Sequence, residues 1–115
     1  MIIKDLAEAL EAQLICGESL LNTEVKSACG SDMMSDVLAF VKNQAVLLTG
    51  LLNPQVIRTA EMMDMHCIVF VRGKRPDESM KRLAEDRNMV ILCTELDMFT
   101  ACGILYAKGL RKRYA

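Results

Sequence analysis

Three short segments gather the residues best able to hold a ligand: Thr49-Gly50-Leu51-Leu52-Asn53, Arg72-Gly73-Lys74-Arg75-Pro76 and Thr94-Glu95-Leu96-Asp97. Each follows an apolar run and precedes a helical pattern, so each reads as a strand-to-helix turn. In an open parallel sheet, ligands bind outside the carboxyl ends of the strands. The middle segment is the most informative. Gly73 lets the backbone approach a ligand, and Arg72, Lys74 and Arg75 beside a helix N-terminus suit an anion such as a phosphate. The same residues also fit a solvated turn in which Gly73 only supplies a positive φ. Asn53 followed by Pro54 is a helix start, and Asp97 stabilises the first turn of the last helix; either can also meet a ligand. Thr49 and Thr94 close their strands with hydroxyls toward one edge. Arg58, one turn into its helix, can swing toward that edge or pair with Glu61.

Catalytic patterns are missing. There is no G-x-x-x-x-G-K-[ST] and no G-x-G-x-x-G. The single histidine, His66, directly precedes Cys67, and adjacent strand residues point to opposite faces, so the two do not form a nucleophile pair. No general acid/base pair of carboxylates stands out. The expectation is therefore no catalytic residue and no enzyme. A small thiol enzyme using Cys67 or Cys93 is the least favoured alternative. Cys16, Cys29, Cys67, Cys93 and Cys102 are odd in number and form no C-x-x-C, so neither a metal site nor a cofactor is expected. Three of them lie in apolar runs, where reduced thiols pack as small hydrophobes in a cytoplasmic protein.

Positioning these turns requires a regular scaffold. Ala45–Thr49, Cys67–Val71 and Val90–Thr94 are continuous apolar runs, as in parallel strands buried on both faces. They alternate with helical patterns at Pro54–Met63, Glu78–Arg87 and Glu95–Ala107, the last stopped near Gly109. That rhythm predicts a right-handed βαβ series with helices on both faces. Upstream, Ile3–Ala12 carries an amphipathic stripe, Gln13–Cys16 and Glu24–Cys29 read as short strands, and Ser31 and Asp32 look like an N-cap for a helix running to about Lys42, with Val41 on its apolar face. The prediction is an α/β/α sandwich of three layers around a mostly parallel or mixed sheet of 4–5 strands.

The 115 residues suffice for one domain, 1–115. With 52% hydrophobic but only 4% aromatic residues, the core must be aliphatic and Met-rich. Met62 and Met63 are adjacent and cannot both face inward, so one is available to a partner. A net charge of −1 argues against nucleic-acid or membrane binding. The basic end, Lys108, Arg111, Lys112 and Arg113, fits a solvated helix terminus. No signal pattern or membrane-length apolar run occurs.

The runs Val46-Leu-Leu-Thr-Gly-Leu-Leu-Asn-Pro-Gln-Val-Ile-Arg-Thr-Ala60, Ile68-Val-Phe-Val-Arg-Gly-Lys-Arg-Pro76 and Val90-Ile-Leu-Cys-Thr-Glu-Leu-Asp-Met-Phe-Thr-Ala101 resemble the DRTGG domain, and Gly30–Leu38 fits the segment that precedes them in that family. The chain looks most like the stand-alone members encoded near iron-only hydrogenase genes. It has Gly50-Leu51-Leu52 where the family has Gly-Asp-Arg, and Arg72-Gly73-Lys74 where the family has Thr-Gly-Gly, while Thr94, Asp97 and Thr100 keep closer to the family form. The resemblance implies a fold similar to the amino-terminal domain of HPr kinase/phosphatase, a homodimer, and a regulatory or ligand-sensing module of the kind found beside CBS domains in pyrophosphatases and in some phosphotransacetylases. The expected function is binding of a small anionic, nucleotide- or phosphate-type ligand at the carboxyl edge of the sheet. The alternative is an assembly subunit for a hydrogenase or other redox enzyme.

Overall fold

The computed structural model describes residues 1–39 and 45–111. The expected helix end at Lys42, with Val41, and the basic residues Lys112 and Arg113 lie outside that set. In chain order the elements are α1 (Ile3–Ala9), β1 (Gln13–Cys16), a 3-10 turn (Glu18–Leu20), β2 (Ser27–Gly30), α2 (Met34–Leu38), β3 (Ala45–Thr49), α3 (Pro54–Met62), β4 (Cys67–Phe70), α4 (Glu78–Asp86), β5 (Val90–Cys93) and α5 (Met98–Ala107).

The strands form one five-stranded sheet in the order β1-β5-β4-β3-β2. β2, β3, β4 and β5 are parallel and each pairs with its successor in sequence. β1 alone runs antiparallel, along β5, with a register shift between Leu14 and Cys16. The sheet is therefore mixed.

The three parallel crossovers step in one direction, so their helices share a face. Val37 of α2, Val56, Ile57 and Ala60 of α3, and Met80 and Ala84 of α4 pack there on Leu47, Ile68, Phe70 and Ile91. The opposite face takes α1 and α5: Ile3, Leu6 and Leu10 meet Ala101 and Leu105 over Val46, Leu48, Val69 and Leu92. Odd and even strand positions thus feed two separate cores, as the period of two requires. All five residues of β3 are buried, matching its unbroken apolar run. Burying one side chain of the size of Phe70 contributes about 1.5–3 kcal/mol. No helix among the described residues is long and apolar enough to cross a membrane.

Several boundaries differ from expectation for local reasons. α5 begins at Met98 rather than Glu95, because Asp97 is its extended N-cap and accepts from Thr100 N–H at 2.7 Å. β2 begins at Ser27; Glu24 instead forms an isolated bridge with Ile2. The expected Ser31–Asp32 cap is replaced. Met33 is the N-cap residue of α2, Ser31 Oγ accepts from Met33 N–H at 3.0 Å, and Asp32 turns away toward β3. Of the methionine pair, Met62 is exposed and Met63 packs on the core.

Candidate functional site

The carboxyl ends of the four parallel strands open onto four adjacent turns. Asp32, just past β2, organises two of them. Its Oδ1 accepts from Gly50 N–H at 2.7 Å and from the Thr49 hydroxyl at 3.1 Å. Its Oδ2 lies 3.6 Å from Arg72 Nη2, both side chains being about half exposed (46% and 45%). The Gly50 N–H, then the Thr49 hydroxyl and the Arg72 guanidinium, outweigh partial burial and hold the Asp32 carboxyl below its ordinary range.

Arg72 reaches this position from an unusual backbone. Arg72 and Gly73 have φ of +59° and +70°, and Lys74 N–H donates to Val71 O at 3.1 Å. Two left-handed residues inside such a turn make it a type I′ turn. Its backbone is fastened to the loop after β5: Arg72 N–H donates to Leu96 O at 2.8 Å and Gly73 N–H to Thr94 O at 2.9 Å. The Arg72 side chain then lies over Gly50, where a Cβ would stand 2.3 Å from Nη2. Glu95 closes over Gly73 in the same way, with Oε1 2.9 Å from where a Cβ would be.

The remaining expected site residues divide into two groups. Thr49 and Thr94 are buried. The Thr94 hydroxyl donates to Leu10 O at 2.8 Å, and Thr49 Oγ1 accepts from Leu51 N–H at 3.1 Å, so both build the edge from within. Asn53 Oδ1 accepts from Gln55 N–H at 2.8 Å, capping α3. Arg75 leans to the β1 side, donating to Gln13 Oε1 at 2.8 Å. Lys74 is exposed beside Arg72. The expected open helix N-terminus after the basic turn is occupied: Asp77 caps α4, accepting from Met80 N–H at 2.9 Å. An anion here would have to be held by side chains.

Asp32 and Glu95 were not among the expected site residues. The available signal for Asp32 was its place in Gly30-Ser31-Asp32, a fourth strand-end turn equivalent to the other three. Arg58 does not pair with Glu61, which meets Arg87 at 3.1 Å instead. His66 lies at the opposite end of the sheet, 3.2 Å from Asp64. Three surface cavities, of about 510, 230 and 280 Å³, also lie at that opposite end, around Lys26 and Lys108, around His66, and around Gly17 and Glu85. Burial pushes all five thiols up from their ordinary value, Cys67 most, which works against a thiolate nucleophile.

Residues 5–107 match the model of the DRTGG domain. The chain belongs to the DRTGG family. No curated protein matches it. Among solved structures, this DRTGG domain is similar to the CBS and DRTGG domains of the regulatory region of Clostridium perfringens pyrophosphatase, which was crystallised with its activator, diadenosine tetraphosphate. The TM-score is 0.74 at 16% identity, a likeness of fold. The alignment covers 90% of this chain and 45% of the other, so the domain spans under half of the regulatory region it resembles.

Proposed function

We propose that this DRTGG domain is a non-catalytic regulatory or ligand-sensing module that binds a small anionic ligand, of nucleotide type, at the carboxyl edge of its sheet. The observation that carries the reading is the conformation of Arg72. A left-handed backbone costs a non-glycine residue about 1–2 kcal/mol. The turn keeps an arginine at φ +59°, where glycine or asparagine would be at ease, and sets its guanidinium half exposed among three turns. Strain of this kind is held where the side chain has a task.

The charges around it narrow the ligand. Arg72 and Lys74 supply cationic donors, and Asp32 and Glu95 supply acceptors within the same few turns. Inorganic phosphate would meet both signs of charge. A nucleotide offers phosphates to the cations and hydroxyl or amino donors to the carboxylates. The nucleotide activator of the pyrophosphatase regulatory region supports this class.

The test is a thermal-shift panel of mono- and dinucleotides with inorganic phosphate as reference. A ligand at a hundred times its dissociation constant stabilises by about 2.7 kcal/mol. The expected result is a nucleotide-dependent shift that Arg72→Asn abolishes. Because asparagine relieves the backbone, that variant should melt no lower than the parent. The absence of a shift with any nucleotide, or a shift undiminished in Arg72→Asn, would overturn the reading.

A further inference from the structure

The cations that follow α5 do more than finish a helix. The helix closes on Gly109, whose φ is +103°. Gly109 N–H donates to Tyr106 O at 3.1 Å and Leu110 N–H to Leu105 O at 3.0 Å, the bonding of a helix stopped by a left-handed residue. Lys108 N–H donates to Ile104 O at 3.1 Å. The carbonyls of residues 104 to 106 are thus satisfied by the backbone, without the ammonium of Lys108. The reversal returns Leu110 to the core and carries Arg111 to a cavity that it shares with Lys26, the residue just before β2.

That cavity is the largest of the three described above, about 510 Å³. Sites for small molecules run from roughly 300 to 1,000 Å³. Its floor is aliphatic, formed by the buried Val25 and Leu110. Its walls carry three cations, Lys26, Lys108 and Arg111, against one carboxylate, Glu24. Glu24 already accepts a hydrogen bond from the Met1 amino group. Arg111 is held in place: its Nε donates to Tyr106 O at 2.8 Å, and its Cζ lies 4.9 Å from the Tyr106 ring centroid. Those contacts use one edge of the guanidinium and leave its terminal amino groups, whose planar fork matches a carboxylate or a phosphate.

We propose that this cavity is a second binding site, at the end of the sheet opposite Arg72, for a small amphiphilic anion: a carboxylate or phosphate monoester on a short apolar body. The excess of cations selects the head group, and the aliphatic floor selects the body. Like charges from two distant parts of the chain repel one another around the cavity, so an anion among them relieves that repulsion while gaining charge-assisted hydrogen bonds. With its one wall carboxylate already engaged, the cavity does not ask the ligand for hydroxyl or amino donors, which separates this ligand from the nucleotide class at the carboxyl edge. Lys26, Lys108 and Arg111 are exposed, so the binding is modest and sensitive to salt.

Nitrogen–proton correlation spectra of the whole chain, titrated with hexanoate and separately with hexyl phosphate, test this. Acetate lacks the apolar body, and hexylamine carries the wrong charge. The expected result is a saturable movement of the Val25, Lys26, Gly109 and Leu110 amides with one or both hexyl anions, weakened by added salt, and little response to acetate or hexylamine. Lys26→Glu and Lys108→Glu should each weaken that binding by about tenfold or more, the loss of one charge-assisted contact. Lys81→Glu, on α4 and away from the cavity, should leave it unchanged. Both reversals lie on exposed side chains, so far-UV circular dichroism should match the parent. The proposal is overturned by movements that do not saturate with either hexyl anion, that centre on Gly50 and Arg72 instead, or that persist undiminished in both charge reversals. Acetate or hexylamine binding as tightly as the hexyl anions would overturn it equally.

Discussion

Arg72 occupies the space that a side chain at position 50 would need. A Cβ built on Gly50 stands 2.3 Å from Arg72 Nη2 and 2.8 Å from Cζ. The clash is with the tip of a flexible side chain, so Gly50→Ala should fold and simply displace the guanidinium from Asp32. The exposed pair it breaks is worth no more than about 1 kcal/mol. The expected outcome is a small fall in melting temperature with a disproportionate loss of nucleotide-dependent shift. Equal shifts in the two proteins would show that Arg72 need not lie across Gly50.

Asp32 gives the edge a pH dependence of known sign. Its folded pKa is lowered below 3.8, chiefly by Gly50 N–H. The stabilisation is therefore complete above the unfolded value and is lost as pH falls through the folded one. Denaturation of the parent and of Asp32→Asn should differ by a constant amount above about pH 5, and the difference should shrink in more acid solution. A gap that widens on acidification would contradict this. The half-exposed carboxylate keeps the effect modest.

Phe70 and Phe99 should respond oppositely to truncation. Phe70 is fully buried between the sheet and α3 and α4, so Phe70→Ala is expected to cost about 3–5 kcal/mol, a large part of a small domain's stability. Phe99 is 88% exposed, and Phe99→Ala at low chain concentration should change stability by about 0.5 kcal/mol or less. Urea denaturation of both variants measures the contrast.

The thiols should be slow to react. Cys16, Cys29, Cys67 and Cys93 are buried, and Cys102 is partly buried. In titration with an aromatic disulfide reagent, Cys102 should react first, Cys67 last, and all five only in denaturant. A fast-reacting thiol in the folded chain would reopen the question of nucleophilic chemistry.

The strands were legible because burial on both faces leaves an unmistakable apolar run, as at Ala45–Thr49 and Val90–Cys93. The starts of α3 at Pro54 and of α4 at Glu78 were legible too, behind the caps Asn53 and Asp77. The start of α5 was not, because Asp97 resembles both a first-turn residue and a cap, and only backbone dihedrals separate the two. At the strand-end turns, sequence proximity grouped Gly50, Gly73 and Arg72 but not the Asp32 carboxylate that contacts Gly50 and Arg72. Its role depends on β2 lying beside β3, a non-local pairing that no local pattern encodes. Thr94 looked like an edge hydroxyl, yet its partner is Leu10 O, 84 residues away.

That last bond has a consequence for how the chain is made. From β2 to β5, each new strand joins the one before it, so the sheet can grow as the polypeptide emerges from the ribosome. The first segment cannot take part in that growth. β1 pairs with β5, which follows the other strands in sequence, and Ile3, Leu6 and Leu10, which also lie over Val46, Leu48 and Val69, gain Leu92, Ala101 and Leu105 only when that last segment is made. This segment thus completes its packing after the strands that follow it, and a nascent chain stalled before Val90 would leave β1 unpaired and the apolar stripe of α1 only partly covered, a natural target for chaperones.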